Sequence, residues 1–384
     1  MMNKIIAGFL TVFVVWSSVV SGGIFTDSEY VEKAQDYLDQ GKLKAASIEL
    51  RNALQQNQEN AQARRMLGKV YLELGNPVSA EKELRRASEL GVADGAVLPL
   101  LVRALLAQGK LDELQVLSLD NLTTNNQKAA VLAAQGLGKL IQGEVDRAEE
   151  KIDQAVSLDH QSTYVGVAKA RLLATKQEYD LAREELGRAF VLDADYAPAW
   201  SLLGDLEGRD KNLTKSEEAY TKAIESRTDN LIDLVKRALV RTQQKKYEEA
   251  QKDIDVLKKR VPQNVAVNFT QGLIYFQNNR MPEAREAFNL TLRANNNHLQ
   301  AMYYLSLTHL RLGNREQAEN YARQFLTVVP GSISGRKLMA SIKLGNRQYT
   351  LAEELIRPVV ASREDDVEAI GLLANSLLKQ NKMV

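Results

Sequence analysis

The amino-acid sequence predicts an all-α solenoid of ten 34-residue helix pairs plus one extra helix. The same residue types recur every 34 residues from Asp27 to Asp366, without an insertion or deletion. Each period holds two segments with helical apolar periodicity, and in most periods Gly or Asn separates them. Because a solenoid repeat contacts only its neighbours, the 384 residues add repeats rather than separate globular domains.

The clearest period runs from Gln62 to Gly91 and fits a frame whose position 1 is Ala61. A first amphipathic helix ends at Gly75, and a second carries Ala80 and Leu84 at positions 20 and 24. Position 8 is small in almost every period, whereas position 24 is large and apolar in most. One large residue at position 24 and two small residues, at positions 8 and 20, indicate a pattern for helix packing rather than a catalytic motif.

Position 20 shows how closely the two helices of a pair are expected to cross. Eight of its ten residues are alanine, in the series Ala46, Ala80, Leu114, Ala148, Ala182, Ser216, Ala250, Ala284, Ala318 and Ala352. A larger side chain at such a crossing would push the two backbones apart. The frame therefore predicts repeats that start at residues 27, 61, 95, 129, 163, 197, 231, 265, 299 and 333, with a partial repeat from 367.

Two places depart from the regular pattern. In the third repeat the helical pattern of the second helix is lost after Gly109 and gives way to a polar run. This indicates either a hinge or docking point, or a repeat whose sequence has drifted and which its neighbours support. The last predicted helix, from Val367 to Gln380, is apolar on most sides. We expect either a longer array, or an end that packs on another molecule, or a poorly capped complete protein.

The other repeats carry regular turn signals. A left-handed residue is expected to end the first helix at Gly143, Asn212, Asn278-Asn279, Gly313-Asn314 and Gly345-Asn346.

The segment from Met1 to Gly23 differs from everything after it. Lys4 is its only charge, an apolar run extends from Ile5 to Trp16, and small residues follow. This pattern predicts a signal peptide, with an uncleaved membrane anchor as the alternative. Either interpretation places the repeats outside the cytoplasm, and any membrane contact would be made only through this segment.

Composition argues against several classes of function. The 50 Lys and Arg residues balance 49 Asp and Glu residues with the signs mixed, so no basic face for nucleic acid is expected. Cysteine is absent, and His160, His298 and His309 do not form a metal-ligand pattern. His309 takes a core position of the frame and is expected to be a packed ring. We find no motif for a phosphate loop or a nucleophile, so we expect no cofactor, no metal and no enzyme activity.

The candidate binding surface is the concave face, which first-helix positions near 2, 5, 9 and 12 are expected to line. Its first part is predicted to be a basic strip that faces an acidic partner: Arg65, Lys69, Arg103 and Arg171. Further along, the lining is predicted to be aromatic and suited to a peptide or a sugar ring: Phe269, Phe276 and Tyr303. The competing interpretation for both sets is scattered surface and partial core.

The recurring W-x-x-L-G-x-x-Y, A-x-x-x-F, A, P series resembles the tetratricopeptide repeat, as in Trp200-Leu203-Gly204 and Val261-Pro262. That resemblance implies a right-handed superhelix. More narrowly, the stretch from Tyr37 to Ala104, with YLDQGKLKAASIELRNALQQN and VLPLLVRALLAQGKLDE, resembles the exported repeat proteins of the PEP-CTERM and exosortase sorting system of Gram-negative bacteria. A lipid-bearing cysteine is common in that family, but Gly22-Gly23-Ile24 stands in that region here.

This second resemblance implies a periplasmic or envelope-associated scaffold. We expect it to bind proteins that support exopolysaccharide biosynthesis or export, or PEP-CTERM protein sorting. The alternatives are a module that binds the polysaccharide directly and an assembly factor for an outer-membrane machine such as a type IV pilus.

Overall fold

The computed structural model describes residues 25–226 and 230–381, and over those ranges it contains 21 α-helices and no strand. The helices follow one another as ten consecutive pairs and one further helix, which confirms the predicted all-α array of helix pairs. The chain divides into two compact units, Met1–Gln108 and Gly109–Val384. The predicted signal peptide, Met1 to Gly23, lies outside the described residues.

Within residues 25–108 the first unit contains five helices, in which first and second helices alternate. They are α1 (Asp27–Asp39), α2 (Leu43–Gln56), α3 (Ala61–Glu73), α4 (Pro77–Glu89) and α5 (Asp94–Ala107).

The second unit contains the remaining sixteen helices of the described chain, and the first of them is a single short turn. They are α6 (Leu111–Gln115), α7 (Asn125–Ile141), α8 (Val145–Leu158), α9 (Thr163–Thr175), α10 (Tyr179–Leu192), α11 (Ala197–Arg209), α12 (Leu213–Glu225), α13 (Leu231–Gln243), α14 (Tyr247–Arg260), α15 (Val265–Gln277), α16 (Met281–Ala294), α17 (Leu299–Arg311), α18 (Arg315–Val328), α19 (Ile333–Gly345), α20 (Tyr349–Ser362) and α21 (Val367–Lys379).

Several helix pairs are held together by the contact that the sequence frame predicts. At position 8 of the second repeat, a Cβ added to Gly68 would lie 2.6 Å from Cγ of Leu84 at position 24. The sixth repeat is built in the same way, since a Cβ at Gly204 would lie 2.6 Å from Tyr220. All ten residues at position 20 are completely buried. The small residues at positions 8 and 20 therefore leave room for the large residue at position 24, which fills the space between the helices.

The turn inside each repeat places its left-handed residue at position 15. The backbone φ angle is positive there in all eleven repeats: Gly41, Gly75, Gly109, Gly143, Gln177, Lys211, Lys245, Asn279, Gly313, Arg347 and Asn381. The prediction was wrong for Asn212 and for Gly345-Asn346, because Lys211 and Arg347 adopt the left-handed conformation instead. The constant length of the repeat fixes which residue ends the helix, and residue type only alters the cost of doing so.

The third repeat has a short second helix. Helix α6 has only five residues, Leu111–Gln115, and an irregular segment follows it. Helix α7 begins at Asn125, four residues before the start that the frame predicts, because Thr124 and Gln127 form a capping box there. Gln135 of α7 replaces the missing packing with hydrogen bonds, since its amide donates to the main-chain oxygens of Leu114 (3.2 Å) and Leu117 (3.0 Å).

Candidate partner-binding surfaces

Two of the three basic residues on α3, Arg65 and Lys69, lie about one helical turn apart in the first unit. Arg65 is half-buried and Lys69 is exposed. Within residues 25–226 and 230–381, neither side chain forms a hydrogen bond or an ion pair with a carboxylate. Both charges are therefore open to an acidic group from outside the chain.

Arg103 of α5 lies close to an acidic residue of α3. Its Nη2 atom is 3.3 Å from Oε1 of Glu73, and both side chains are more than a third exposed. An exposed pair of this kind contributes little to stability and exchanges readily with other partners. In this unit the predicted basic strip thus consists of two unpaired cations and a third that shares its charge with Glu73.

The remaining predicted groove residues lie in the second unit. Arg171 is exposed on α9. Phe276 is only 5% exposed, with its ring stacked edge-on to Tyr304 at a centroid distance of 5.4 Å and covered by the Arg311 guanidinium. It offers almost no surface to a ligand.

Phe269 and Tyr303 are half-buried in ring clusters. Phe269 contacts His298 at a centroid distance of 4.8 Å, and Tyr303 contacts Phe325 at 5.6 Å. Burial raises the pKa of the Tyr303 hydroxyl. The structure places all three predicted aromatic residues mainly in the packing between consecutive repeats.

Two of the three histidines, His298 and His309, have structural roles. His298 caps α17, since its Nδ1 accepts a hydrogen bond from the Ala301 amide at 3.1 Å. His309 is buried and stacks on Tyr321, and burial followed by the charge of Arg285 lowers its pKa. In the described part of the chain, no group of three or more His, Cys, Asp or Glu side chains could hold a metal ion. Over the same residues, no helix is both long and apolar enough to cross a bilayer.

A cleft in the second unit was not predicted from the sequence. It has a volume of about 640 Å³ and is lined by Trp200, Leu203 and Glu207 of α11 together with one face of α12. Its signal in the sequence is Gly187 of α10, the only glycine at position 25 of the frame among the ten complete repeats. The absence of a side chain at Gly187 could be interpreted only once the structure showed which residue of the next repeat lies opposite it.

These repeats and their geometry define the class of the protein. Tetratricopeptide repeat models match residues 37–101, 167–230, 235–298 and 300–332, which together make up more than half of the chain. The chain is a tetratricopeptide repeat protein, and its fold is that of a protein-interaction scaffold.

One curated relative and two solved structures give this class more detail. The chain is 28% identical over 211 residues to the type IV pilus assembly protein PilF of Pseudomonas aeruginosa, which covers 54% of this chain and 69% of the relative. It is similar in fold to PilW, a type IV pilus biogenesis factor, with a TM-score of 0.52 and 16% identity over 56% of this chain and 99% of PilW. The Cut9-Hcn1 structure of the APC/C gives a TM-score of 0.52 and 12% identity, over 91% of this chain and 96% of that one. At these identities the two structures show the fold alone.

Proposed function

We propose that this chain is a non-enzymatic scaffold of the bacterial envelope that binds proteins of a surface-assembly machine, in the first place a type IV pilus. The observation that carries the binding role is the pair of unpaired cations on α3, Arg65 and Lys69, beside the weakly paired Arg103. Such a surface attracts an acidic segment of a partner and speeds its association.

The choice of machine rests on sequence similarity. The 211 residues shared with PilF at 28% identity cover most of that relative, whose stated role is type IV pilus assembly. Export of the chain is part of the proposal and rests on the pattern of Met1 to Gly23.

A second candidate is a scaffold for exopolysaccharide production or for PEP-CTERM protein sorting. It is favoured by the resemblance of Tyr37 to Ala104 to exported repeat proteins of that system. The further alternative of direct polysaccharide binding has little support from the geometry, because Phe276 is buried and Phe269 and Tyr303 are engaged in packing.

The test is deletion of the gene in its own host, with pili, secreted polysaccharide and surface-sorted proteins counted in parallel. Loss of pili alone supports the pilus proposal, whereas loss of polysaccharide or sorting alone supports the second candidate. No change in any of the three contradicts both. Fractionation of the cells with an antibody against the chain tests export, and a wholly cytoplasmic protein would refute that part.

Complementation tests the surface itself. A chain carrying Arg65→Glu, Lys69→Glu and Arg103→Glu should fold but fail to restore the lost structure. The matched control reverses three exposed lysines of the same unit, Lys42, Lys44 and Lys82, and should restore it. Equal restoration by both variants would rule out the α3 and α5 cations as the binding surface.

A further inference from the structure

In two places in this array, the side chain at position 25 of a second helix bonds to position 7 of the next first helix. Asp153 accepts a hydrogen bond from Lys169 Nζ at 2.7 Å, and the Thr221 hydroxyl accepts one from Arg237 Nη1 at 3.0 Å. Both contacts join position 25 to position 7 of the following repeat. In those two places, the residue at position 25 helps to close the space between consecutive repeats.

The fifth repeat has Gly187 at position 25, so this cover is missing. A Cβ placed on Gly187 would meet no atom within 4 Å. On either side of it, α10 is attached to α11, because Arg183 Nε lies 3.3 Å from Glu207 Oε1 and the Phe190 ring lies 4.2 Å from the Trp200 ring. Between these two attachments the surface of α11 is left open.

The cleft is lined by α11 and α12, and one of its residues is Leu203, which the frame places at position 7 opposite Gly187. Its volume of about 640 Å³ is of the size that side chains or small ligands occupy in binding pockets. The indole Nε1 of Trp200 already donates a hydrogen bond to the Ala194 oxygen at 2.8 Å. Because this donor is satisfied, what Trp200 and Leu203 offer to an occupant is apolar, and a large apolar side chain is the matching group.

The edge of the cleft carries charges that are free to pair. Lys215, Glu218, Lys222 and Glu225 alternate in sign along α12, and all four are exposed. In the part of the chain that the structure describes, none of them forms an ion pair. Their spacing of three, four and three residues places them along one side of α12 over about 15 Å. A second helix has the same spacing, so it can match all four charges at once.

We propose that this cleft binds an amphipathic helix of a partner protein. The helix would insert one large apolar side chain onto Trp200 and Leu203, and it would place acidic residues opposite Lys215 and Lys222 and basic residues opposite Glu218 and Glu225. The inference rests on the proposed function only in taking the partner to be a protein, and it assigns a surface distinct from the α3 cations.

The test uses tryptophan fluorescence of the full chain. Trp16 and Trp200 are its two tryptophans, so Trp16→Phe leaves Trp200 as the single reporter. The probes are two synthetic amphipathic helical peptides with one central Phe: one carries the complementary charge order and the other carries the reversed order. The complementary peptide should change the Trp200 emission and bind about tenfold more tightly than the reversed one, the size expected for several exposed ion pairs.

Gly187→Phe should fill the cleft and weaken binding of the complementary peptide by at least about tenfold, since the new side chain takes the place of the anchor. Asp255→Phe, at position 25 of another repeat, is the matched control and should bind like the parent. Circular dichroism shows whether each variant keeps its helices. Equal affinity for the two peptides, or undiminished binding to a folded Gly187→Phe chain, would overturn the proposal.

A charge swap tests the inference independently of the filled cleft. The four substitutions Lys215→Glu, Glu218→Lys, Lys222→Glu and Glu225→Lys lie on exposed residues, and they should reverse the preference between the two peptides. An unchanged preference would contradict the proposed pairing. A change in Trp200 emission that depends on protein concentration without peptide would instead assign the cleft to a second copy. None of these outcomes depends on whether deletion of the gene affects pili.

Discussion

Arg237 holds Asp253 through two parallel hydrogen bonds across the helix pair α13 and α14. Its Nη2 and Nε atoms donate to the two carboxylate oxygens at 2.7 and 3.1 Å. Arg241 adds a third bond, from Nη1 to Oδ2 at 2.9 Å. The Asp253 side chain is only 5% exposed, so this carboxylate sits between two guanidinium groups largely out of water. Two-point pairing of this type fixes the relative position of the two helices.

Removal of Asp253 should therefore destabilise the seventh repeat strongly. Asp253→Ala leaves the poorly solvated Arg237 guanidinium without a carboxylate, whereas Arg241 keeps its bond to Glu217 at 2.8 Å. Loss of one partner of a buried ion pair typically costs about 3–5 kcal/mol. Urea unfolding followed by circular dichroism, together with amide exchange in α13 and α14, measures the loss. Asp255→Ala, on the exposed side of the same helix, is the control and should change stability by less than about 0.5 kcal/mol. Equal effects of the two substitutions would contradict the structural importance of the pair.

The alanine at position 20 should not tolerate a charged side chain. Ala182 is completely buried at the crossing of α9 and α10, so Ala182→Glu adds both a steric clash and a buried carboxylate, each worth several kcal/mol. Leu181→Glu is the matched control, because Leu181 is its neighbour in sequence and lies exposed. We expect a large fall in melting temperature and helicity for the first variant only. Unchanged melting of Ala182→Glu would refute the 34-residue frame.

The helix pairs could be predicted from the sequence because their packing repeats at a fixed spacing. Ala182 and Gly68 are recognisable from sequence alone, since small residues recur at positions 20 and 8 in most repeats. Contacts between successive repeats have no such regularity. Whether Phe276 lines a groove or packs against Tyr304 depends on the neighbouring side chains, and the 34-residue period does not contain that information.

At the turns too, the backbone conformation follows from the repeat length, whereas the residue type is a poor guide to it. Repeat length determines that position 15 is left-handed, but residue type misled the prediction where a lysine or arginine stands there. The cleft over Trp200 was missed for a related reason. In the sequence Gly187 looks like any surface glycine, because the position of Leu203 in the next repeat is not apparent there.

Glycine at position 15 should stabilise the array wherever another residue now adopts the left-handed conformation. Lys245 has φ of 62° and is exposed, and within the described ranges its side chain forms no hydrogen bond or ion pair. Lys245→Gly relieves the clash of Cβ with the backbone and should raise stability by about 1 kcal/mol. Gly313→Ala is the opposite change at the same frame position, with φ of 79°, and should lower stability by a similar amount. Thermal unfolding of both variants tests the sign, and a fall for Lys245→Gly would contradict the expectation.

Glu319 should make the ninth and tenth repeats sensitive to acid. Hydrogen bonds from Lys343 (2.8 Å) and Arg323 (3.1 Å) hold the pKa of its carboxyl below the usual value of about 4.5. A carboxyl whose pKa is lower in the folded chain stabilises it fully above the unfolded pKa, and this contribution is lost as pH falls through the folded pKa. Glu319→Gln should therefore lower stability at pH 7 and flatten the decline of stability between pH 5 and pH 3.

Glu316→Gln, on an exposed residue of the same helix, is the control and should leave the dependence of stability on pH unchanged. Urea unfolding at a series of pH values measures both profiles. Parallel profiles for Glu319→Gln and the parent would show that Lys343 and Arg323 do not favour the ionised carboxylate in the folded chain.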